Sequence, residues 1–578
     1  MRQQIYDQLR RSFRFVVYSL LPLAGGGWVG ASCSDLLDTT SELVEFEEDN
    51  TLNHTTDSVY SVMGIVNRMQ LVADRTVLLG EARGDLVTTT EAASADLKRL
   101  AAFDMSQQNK YNQVSDYYAV INNCNFYLAH VDTALQRRGR QLFKYEYAAV
   151  KAFRAWAYLE LVKNYGQVPL VTEPQMTERE ALAAAAGATY GIKEICDYFI
   201  ADLTPYALVD LPQYGNVGGY NSQGFFIPMR ALLGDLCLWA GHYEEAARWY
   251  NSYLNDKRSP IELNYTNRVR WTNVTEFQRP QNAYSVTSTQ EVLSFIPMEE
   301  RVFDGTVSDL ANVFTSTSEN NYYFQLTPSV GMRQLSASQI NCIMYRAEGG
   351  TEIDTVYAPR SGFSEDLYVG DLRLSSNYSQ TSRGGQDEYS EYNSLSQSIR
   401  KFWSDRVPIY RRTMVYLRYA EALNRAGLPQ SAMCVLKYGM CPENISQYVD
   451  SLERVAAGDL ISFDASTFTK ERVTGIHSLG SGDSECNAFY VLPVPADSLA
   501  TRQDTISYQI PRVEDLIVNE MALEGAFEGY RFYDLLRVAL RRGDPAYLAD
   551  PISRRNGASD AQLRQLLMDQ KNWFLPLP

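Results

Sequence analysis

Apolar residues recur at helical spacing over several long stretches of this chain. Between Gln141 and Tyr165, the residues Phe143, Tyr147, Val150, Ala157 and Leu161 fall on one stripe, and Arg154 lies on that same stripe. Gly166 then stops the helix, and Val168-Pro169-Leu170 leaves it extended. From Met229 to Tyr250 the pattern reads as two helices around a turn at Gly241, with Leu233, Leu236, Tyr243 and Tyr250 filling the seam. A second pair runs from Tyr416 to Met433, turning at Gly427 and reopening at Pro429, a residue suited to the first helical turn. Further helical runs are predicted near Asp57 to Leu71 and Tyr111 to Leu135.

The small Ala and Gly residues in these pairs alternate with large ones, as in tetratricopeptide units. Such pairs need neighbours to bury their faces, so the pattern predicts a mostly α chain built on a curved scaffold of about four helix pairs. Between the helices the pattern changes. From Asn251 to Lys401 the chain turns to Ser, Thr, Asn, Gly and Tyr with short strand-like runs such as Glu291-Val-Leu-Ser-Phe-Ile296, and a similar polar stretch runs from Asp459 to Ser507. These segments, near 251–401 and 459–507, read as loop-rich insertions with a few short strands. Binding residues commonly sit on such loops.

The N-terminus carries Arg2, Arg10, Arg11 and Arg14, then an apolar run from Phe15 to Leu23, then small residues to Ala31-Ser32-Cys33. Pro22 and Gly25 to Gly27 break the run short of a bilayer span, so residues 1–32 read as a signal peptide. The small residues before Cys33 resemble a bacterial lipoprotein site, in which the cysteine becomes the acylated N-terminus; a plain signal peptide with an incidental cysteine is the alternative. The remaining cysteines, Cys124, Cys196, Cys237, Cys342, Cys434, Cys441 and Cys486, are odd in number and form no C-x-x-C pair. Several fall in apolar helical patterns, so buried free thiols are expected rather than a disulfide framework, with a Cys434–Cys441 bridge as the alternative.

A net charge of -16 argues against a protein that tracks phosphate backbones, since nucleic-acid affinity rests on clustered Lys and Arg. Neutral ligands fit better. The four histidines, His54, His130, His242 and His477, are far apart and no H-E-x-x-H motif occurs, so metal hydrolysis is not supported. The glycine-rich Gly215 to Gly224 lacks the Lys-Ser/Thr ending of a phosphate loop.

Four ordered stretches carry a family resemblance: Lys151-Ala-Phe-Arg-Ala-Trp-Ala-Tyr158 leading into Tyr165-Gly-Gln-Val-Pro-Leu170; Asp371-Leu-Arg373; Leu417-Arg-Tyr-Ala-Glu-Ala-Leu-Asn424; and Asn519-Glu-Met-Ala-Leu-Glu524 with Glu528-Gly-Tyr-Arg-Phe-Tyr-Asp-Leu-Leu-Arg537. Together they resemble the SusD/RagB family of outer-membrane nutrient-binding lipoproteins. The resemblance spans residues 33–578 and implies a SusD-like domain, anchored through Cys33 and exposed at the cell surface. It implies capture of a glycan or oligosaccharide for a SusC-like TonB-dependent outer-membrane transporter packed against the helical body. Peptide capture, as in the RagB branch, is the alternative, and a glycan-cleaving enzyme a more distant one. No catalytic residue and no cofactor is expected; a calcium ion stiffening a loop is the one addition left open.

A glycosidase would need two carboxyl groups across one sugar bond. Glu520, Glu524, Glu528 and Asp534 could be mistaken for such a set, but Arg531 and Arg537 are natural ion-pair partners, and a structural network is the reading preferred. Arg154 is likewise expected to be a buried strut. Sugar capture asks instead for aromatic planes with amide, carboxylate and guanidinium neighbours. Candidates in the middle insertion are Trp271, Tyr284, Tyr322 and Tyr323, with the cluster Asn320-Asn-Tyr-Tyr-Phe324 foremost. Arg83, Asp85 and Asn109 are candidates in an early irregular stretch, because family sites draw on an early loop and a middle insertion.

Overall fold

The structure, a computed structural model, describes residues 52, 55–265, 268–271, 280–281, 291–298, 306–316, 324–346, 351–358, 370–382, 395–402, 405–496 and 501–577. It is mostly helical. The scaffold runs through α1 (Thr55–Arg83), α2 (Val114–His130), α3 (Lys144–Tyr165), α4 (Ile192–Leu203), α5 (Met229–Ala240), α6 (Tyr243–Leu254), α7 (Arg412–Arg425), α8 (Pro429–Lys437), α9 (Arg502–Gly525) and α10 (Arg531–Arg542). Each of α1 to α5 packs on the next but one or the next along a continuous stack, and α7 packs on α6 as well as on α8 and α9. The insertion between Leu254 and Arg412 therefore leaves the scaffold and returns to the same place. Among the described residues no helix is long and apolar enough to cross a membrane.

Local chemistry sets the predicted turns. Gly241 caps α5 in the left-handed region at φ 86°, and Gly166 ends α3 at φ 76°. Pro429 opens α8, and Thr501 with Asp504 forms a reciprocal cap on α9. Small residues let the pairs close: Gly234 on α5 faces the ring of Tyr250 on α6, where even a Cβ would lie 2.5 Å from the ring.

The strands pair in twos among the described residues. Val292–Pro297, which contains most of the predicted strand, pairs antiparallel with Arg406–Arg411, and Asn341–Arg346 forms a hairpin with Ile353–Ala358. Two-stranded ribbons are marginal alone, so each depends on what it lies against.

Three of the four family-like stretches, with residues of the insertion, meet in a buried charged network. Arg373 donates to Asp371 (2.8 Å), Glu520 (2.5 Å) and Glu524 (3.1 Å). Arg411 donates to Glu291 (2.7 Å), Glu524 (3.1 Å) and Glu528 (2.5 Å), and Lys401 to Glu528. A second group links α7 to α10, where Arg537 grips Glu421 at 2.9 and 2.6 Å and Asp534 at 2.9 Å. Arg154, expected to be a strut, donates to Asn125 at 3.0 Å and to Asp202 at 3.1 Å.

The partners of the terminal acids are those expected only in part: Arg537 does pair with Asp534, but the other acids find different cations. Arg531 pairs not with Glu524 or Glu528 but with Asp85, at 2.6 and 3.0 Å, and the acids are met by Arg373, Lys401 and Arg411. The cause is a break in the chain between α9 and α10: Phe527 takes φ 72° and Gly529 φ 88°, so the acids and the arginines sit on separate elements that face different neighbours. Gly529 is required there. A Cβ on it would lie 2.3 Å from the Thr76 carbonyl oxygen, and one on Gly80 would lie 1.7 Å from that of Gly529.

Replacing Arg373 by Met takes the shared guanidinium away from three buried carboxylates and is expected to cost about 3–5 kcal/mol, seen as a lower urea midpoint. The acids also set a pH dependence. Desolvation pushes Glu520 up, but Arg373 and His477 hold it at about 2; desolvation likewise opposes Arg537 and Arg541, which hold Glu421 at about 2. Both sit below the usual 4.5, so the stability they contribute is full above that value and is lost as pH falls towards 2. Glu81 has the opposite sign. Burial raises it to about 8, against the Gly529 N–H and the charge of Lys401, so its contribution is full below 4.5 and is lost as pH rises through 8. Glu81→Gln should flatten that alkaline loss, of up to about 5 kcal/mol, in denaturation curves compared at about pH 5 and pH 9.

Candidate ligand-binding surface

The early candidates are part of the interior. Helix α1 continues past the predicted end at Leu71 to Arg83, which places Arg83 in the last buried turn rather than in a loop. Its guanidinium donates to the carbonyls of Leu79 and Trp573, to Asn164 and to Tyr533, and lies 4.2 Å from the centre of the Phe532 ring. Asp85 is held in a bidentate pair by Arg531. Asn109 is 2% exposed; it donates to the Asp96 carbonyl and accepts from the Tyr111 N–H. All three act as struts instead of the ligand contacts expected, because each polar head is already matched inside the fold.

Of the middle candidates, Tyr284, Tyr322 and Tyr323 lie outside the described residues, as does Cys33. Trp271 falls in the short strand Arg270–Trp271, paired with Pro280–Gln281, and its side chain is not described. Phe324, the last member of the foremost cluster, is 6% exposed and belongs to the core. The early stretch and the middle insertion do meet, as the resemblance implied. Val87–Thr89 pairs antiparallel with Leu326–Pro328, the Thr90 hydroxyl donates to the Phe324 carbonyl at 2.7 Å, and the Ser94 N–H donates to the Gln325 side chain at 2.9 Å. Phe324 is thus held beside Thr90, and Ser316 bonds to Gln397.

From Pro328 the helix Val330–Ser338, roughly 13 Å long, leads to the hairpin of Asn341–Arg346 and Ile353–Ala358. Here the structure presents residues that the sequence did not single out. Phe489 is 65% exposed and Tyr357 42%, and their rings meet edge to face at 6.1 Å. Single exposed apolar residues are common, but Ile353, Val491 and Val494 are exposed nearby in sequence as well. Strand alternation and register place Tyr357, Thr355 and Ile353 on the same face of the hairpin as their cross-strand partners Cys342, Met344 and Arg346.

The Phe489–Tyr357 pair is firmly held. Cys342 and Cys486 form a disulfide across a separation of 144 residues, tying the two loop-rich insertions together. This differs from the free thiols expected; Cys434 and Cys441, offered as the alternative bridge, are both free and buried, as are Cys124, Cys196 and Cys237. The Tyr357 hydroxyl donates to the Cys486 carbonyl at 3.1 Å. Asn487 accepts from the N–H groups of Phe489 (3.2 Å) and Tyr490 (3.0 Å), donates to the Ile340 carbonyl, and through its own carbonyl accepts from Lys437. Tyr490 turns inward, stacks on His477 at 3.7 Å and donates to Glu520, which joins it to the charged network.

Chemically the surface can stack and hydrogen-bond. The acids of the terminal signature cannot act as a catalytic pair on a sugar, since Glu520 and Glu524 are 1% exposed and paired with Arg373. No group of three or more His, Cys, Asp or Glu side chains among the described residues is placed to hold a metal ion. Replacing both Cys342 and Cys486 by Ser should loosen the hairpin without unfolding the scaffold: amide exchange in 341–346 and 353–358 is expected to rise at least tenfold, with that of α5 unchanged.

No family model matches the chain, and no curated protein matches it. Solved structures do. A SusD superfamily protein from Bacteroides vulgatus aligns with a TM-score of 0.53 at 15% identity, covering 89% of this chain and 96% of the other. A SusD-like carbohydrate binding protein from Bacteroides fragilis aligns at 0.52 and 13% identity, covering 86% and 88%. A SusD superfamily protein from Bacteroides thetaiotaomicron aligns at 0.50 and 15% identity, covering 84% and 88%. The chain therefore has the SusD-like fold: a tetratricopeptide-like helical scaffold carrying loop-rich insertions and short strands.

Proposed function

We propose that this protein is a non-catalytic capture protein at the cell surface, which binds a glycan or oligosaccharide and presents it to a TonB-dependent outer-membrane transporter. The observation that carries this reading is the exposed Phe489–Tyr357 pair on a backbone fixed by a disulfide and buried hydrogen bonds. Aromatic rings take up the apolar C–H faces of pyranoses, and rigid support reduces what is lost on binding. The negative net charge is compatible with a neutral sugar and unfavourable for an acidic polymer. A structurally similar protein is described as carbohydrate binding.

In this reading residues 1–32 are removed as a signal peptide, Cys33 carries the lipid, and the stretch after it, with Asp35, Asp38, Glu42, Glu45, Glu47 and Glu48, serves as tether. Trp271, Tyr284, Tyr322 and Tyr323 would extend the aromatic surface. The helical body would pack on the transporter, and holding polymer beside the transporter mouth raises its effective concentration there.

Calorimetry of the chain from residue 34 onward against polysaccharides, oligosaccharides and peptides, with an assay for new reducing ends, tests the reading. Saturable glycan binding without cleavage is expected, weakened about tenfold or more by Phe489→Ala or Tyr357→Ala, equivalent to at least ~1.4 kcal/mol. Binding of peptides alone, or release of new reducing ends, would overturn it.

A further inference from the structure

On a chain whose net charge is -16, basic residues gather on one exposed hairpin. Between Asp132 and Glu146 the sequence carries Arg137, Arg138, Arg140 and Lys144 and no acid, and all four are exposed. Gln136–Arg137 pairs antiparallel with Arg140–Gln141, and the turn between them is Arg138-Gly139, at φ 53° and 75°. Two positive φ angles in a two-residue turn keep the strands in register, so Arg137 stands directly opposite Arg140.

This placement costs stability as it stands. Like charges directly opposite on paired strands repel, and Arg138 holds a left-handed conformation that glycine or asparagine adopts more readily. Among the described residues no carboxylate lies within salt-bridge distance of the three guanidiniums. The flanking acids are engaged elsewhere: Asp132 accepts from the N–H groups of Ala134 and Leu135 at 2.9 and 3.2 Å, and Glu146 from the Tyr214 hydroxyl at 3.3 Å. An anion shared by the arginines would remove the repulsion, and phosphate oxygens match the paired N–H groups of a guanidinium. Position indicates where that phosphate comes from. The chain that leads from Cys33 joins the body at Leu52, whose N–H donates to the His130 carbonyl at 3.1 Å and which bridges Val131. From Val131 to Gln136, where the hairpin starts, is at most about 17 Å of extended chain.

We propose that this arginine hairpin binds the phosphate groups of lipid headgroups and so settles the anchored end of the body on the membrane surface. The proposal rests on the reading in which Cys33 carries the lipid. Net charge does not oppose it. At physiological ionic strength charges more than about 8 Å apart are largely screened, so the hairpin meets a surface through its own charge and not through that of the whole chain. Each basic residue brought to an anionic membrane surface adds to the attachment.

The chain from residue 34 onward, made without lipid, is sedimented with phosphatidylcholine vesicles and with the same vesicles carrying phosphatidic acid, at about 0.1 M salt. Binding at least tenfold stronger to the acidic vesicles is expected, and it should disappear in about 1 M salt. Combining Arg137→Gln, Arg138→Gln and Arg140→Gln should weaken that binding at least tenfold without lowering the melting temperature. Should the variant fail to fold, amide exchange on the wild type decides: protection of 136–141 by acidic vesicles alone supports the proposal. Equal binding to both vesicles, a preference that the variant keeps, or binding of inorganic phosphate without binding to vesicles overturns it. So does the absence of vesicle binding, as when the acids between Asp35 and Glu48 occupy the arginines themselves. The mass of the protein extracted from its own membranes reports the lipid on Cys33 independently, so a missing lipid overturns the anchoring and an idle hairpin overturns the proposal.

Discussion

The ion pairs of Arg373 and Arg411 with Glu520, Glu524 and Glu528 are the seam on which the rest of the structure depends. The acids belong to the end of α9 and the turn after it. Their partners arrive from the insertion, at Arg373, Lys401 and Arg411. Taking so many charges out of water costs several kcal/mol per ion, so such a network is a poor source of net stability. It acts as a test of position. The insertion can take one place on the scaffold in which every charge is matched, and any displacement would leave a buried charge alone.

The terminal signature reads as a consequence of that requirement. Glu528 must turn into the seam while Arg531 turns to Asp85, just beyond the end of α1. A continuous helix cannot do both, and the turn at Gly529, packed against Gly80, separates the two directions. The same turn brings Tyr533 to Asn164 and Arg83, so the N-terminal helices are joined to the C-terminal ones at this point. Three of the four family-like stretches are scattered in sequence because they are the contributions of different elements to these two buried charged groups.

This explains what the sequence disclosed and what it withheld. Helices α3, α5, α6 and α7 were legible because apolar residues recur at helical spacing along most of each, and Gly241, Gly427 and Pro429 mark turns by local conformation alone. The end of α1 was not, because Gln70, Arg75, Glu81 and Arg83 are buried polar residues that interrupt the stripe, and Arg83 and Asp85 consequently resembled a polar loop. The acidic network was foreseen as structural, but its partners are set by tertiary geometry more than a hundred residues away in sequence. Phe489 lies in the stretch 459–507, which reads only as a polar, loop-rich insertion; it comes beside Tyr357 in a region tied by the Cys342–Cys486 bridge, a pairing that spacing alone could not choose.

The platform and the seam are one mechanical unit. Glu520 receives Arg373 on one oxygen, and on the other it meets His477 Nδ1 at 2.9 Å and the hydroxyl of Tyr490 at 3.3 Å. Tyr490 adjoins Phe489, so the exposed ring is one residue away from a side chain fixed in the charged core. The disulfide fixes the other side of the same segment. An exposed aromatic on a free loop would lose its conformational freedom on meeting a ligand, and that loss would be subtracted from the affinity. Here the ordering has already been met in folding, by interactions that the scaffold needs in any case, so under the proposed function a stacking ligand would bind without that loss. The buried charges thus serve the surface they never touch, by making its shape independent of whether anything is bound.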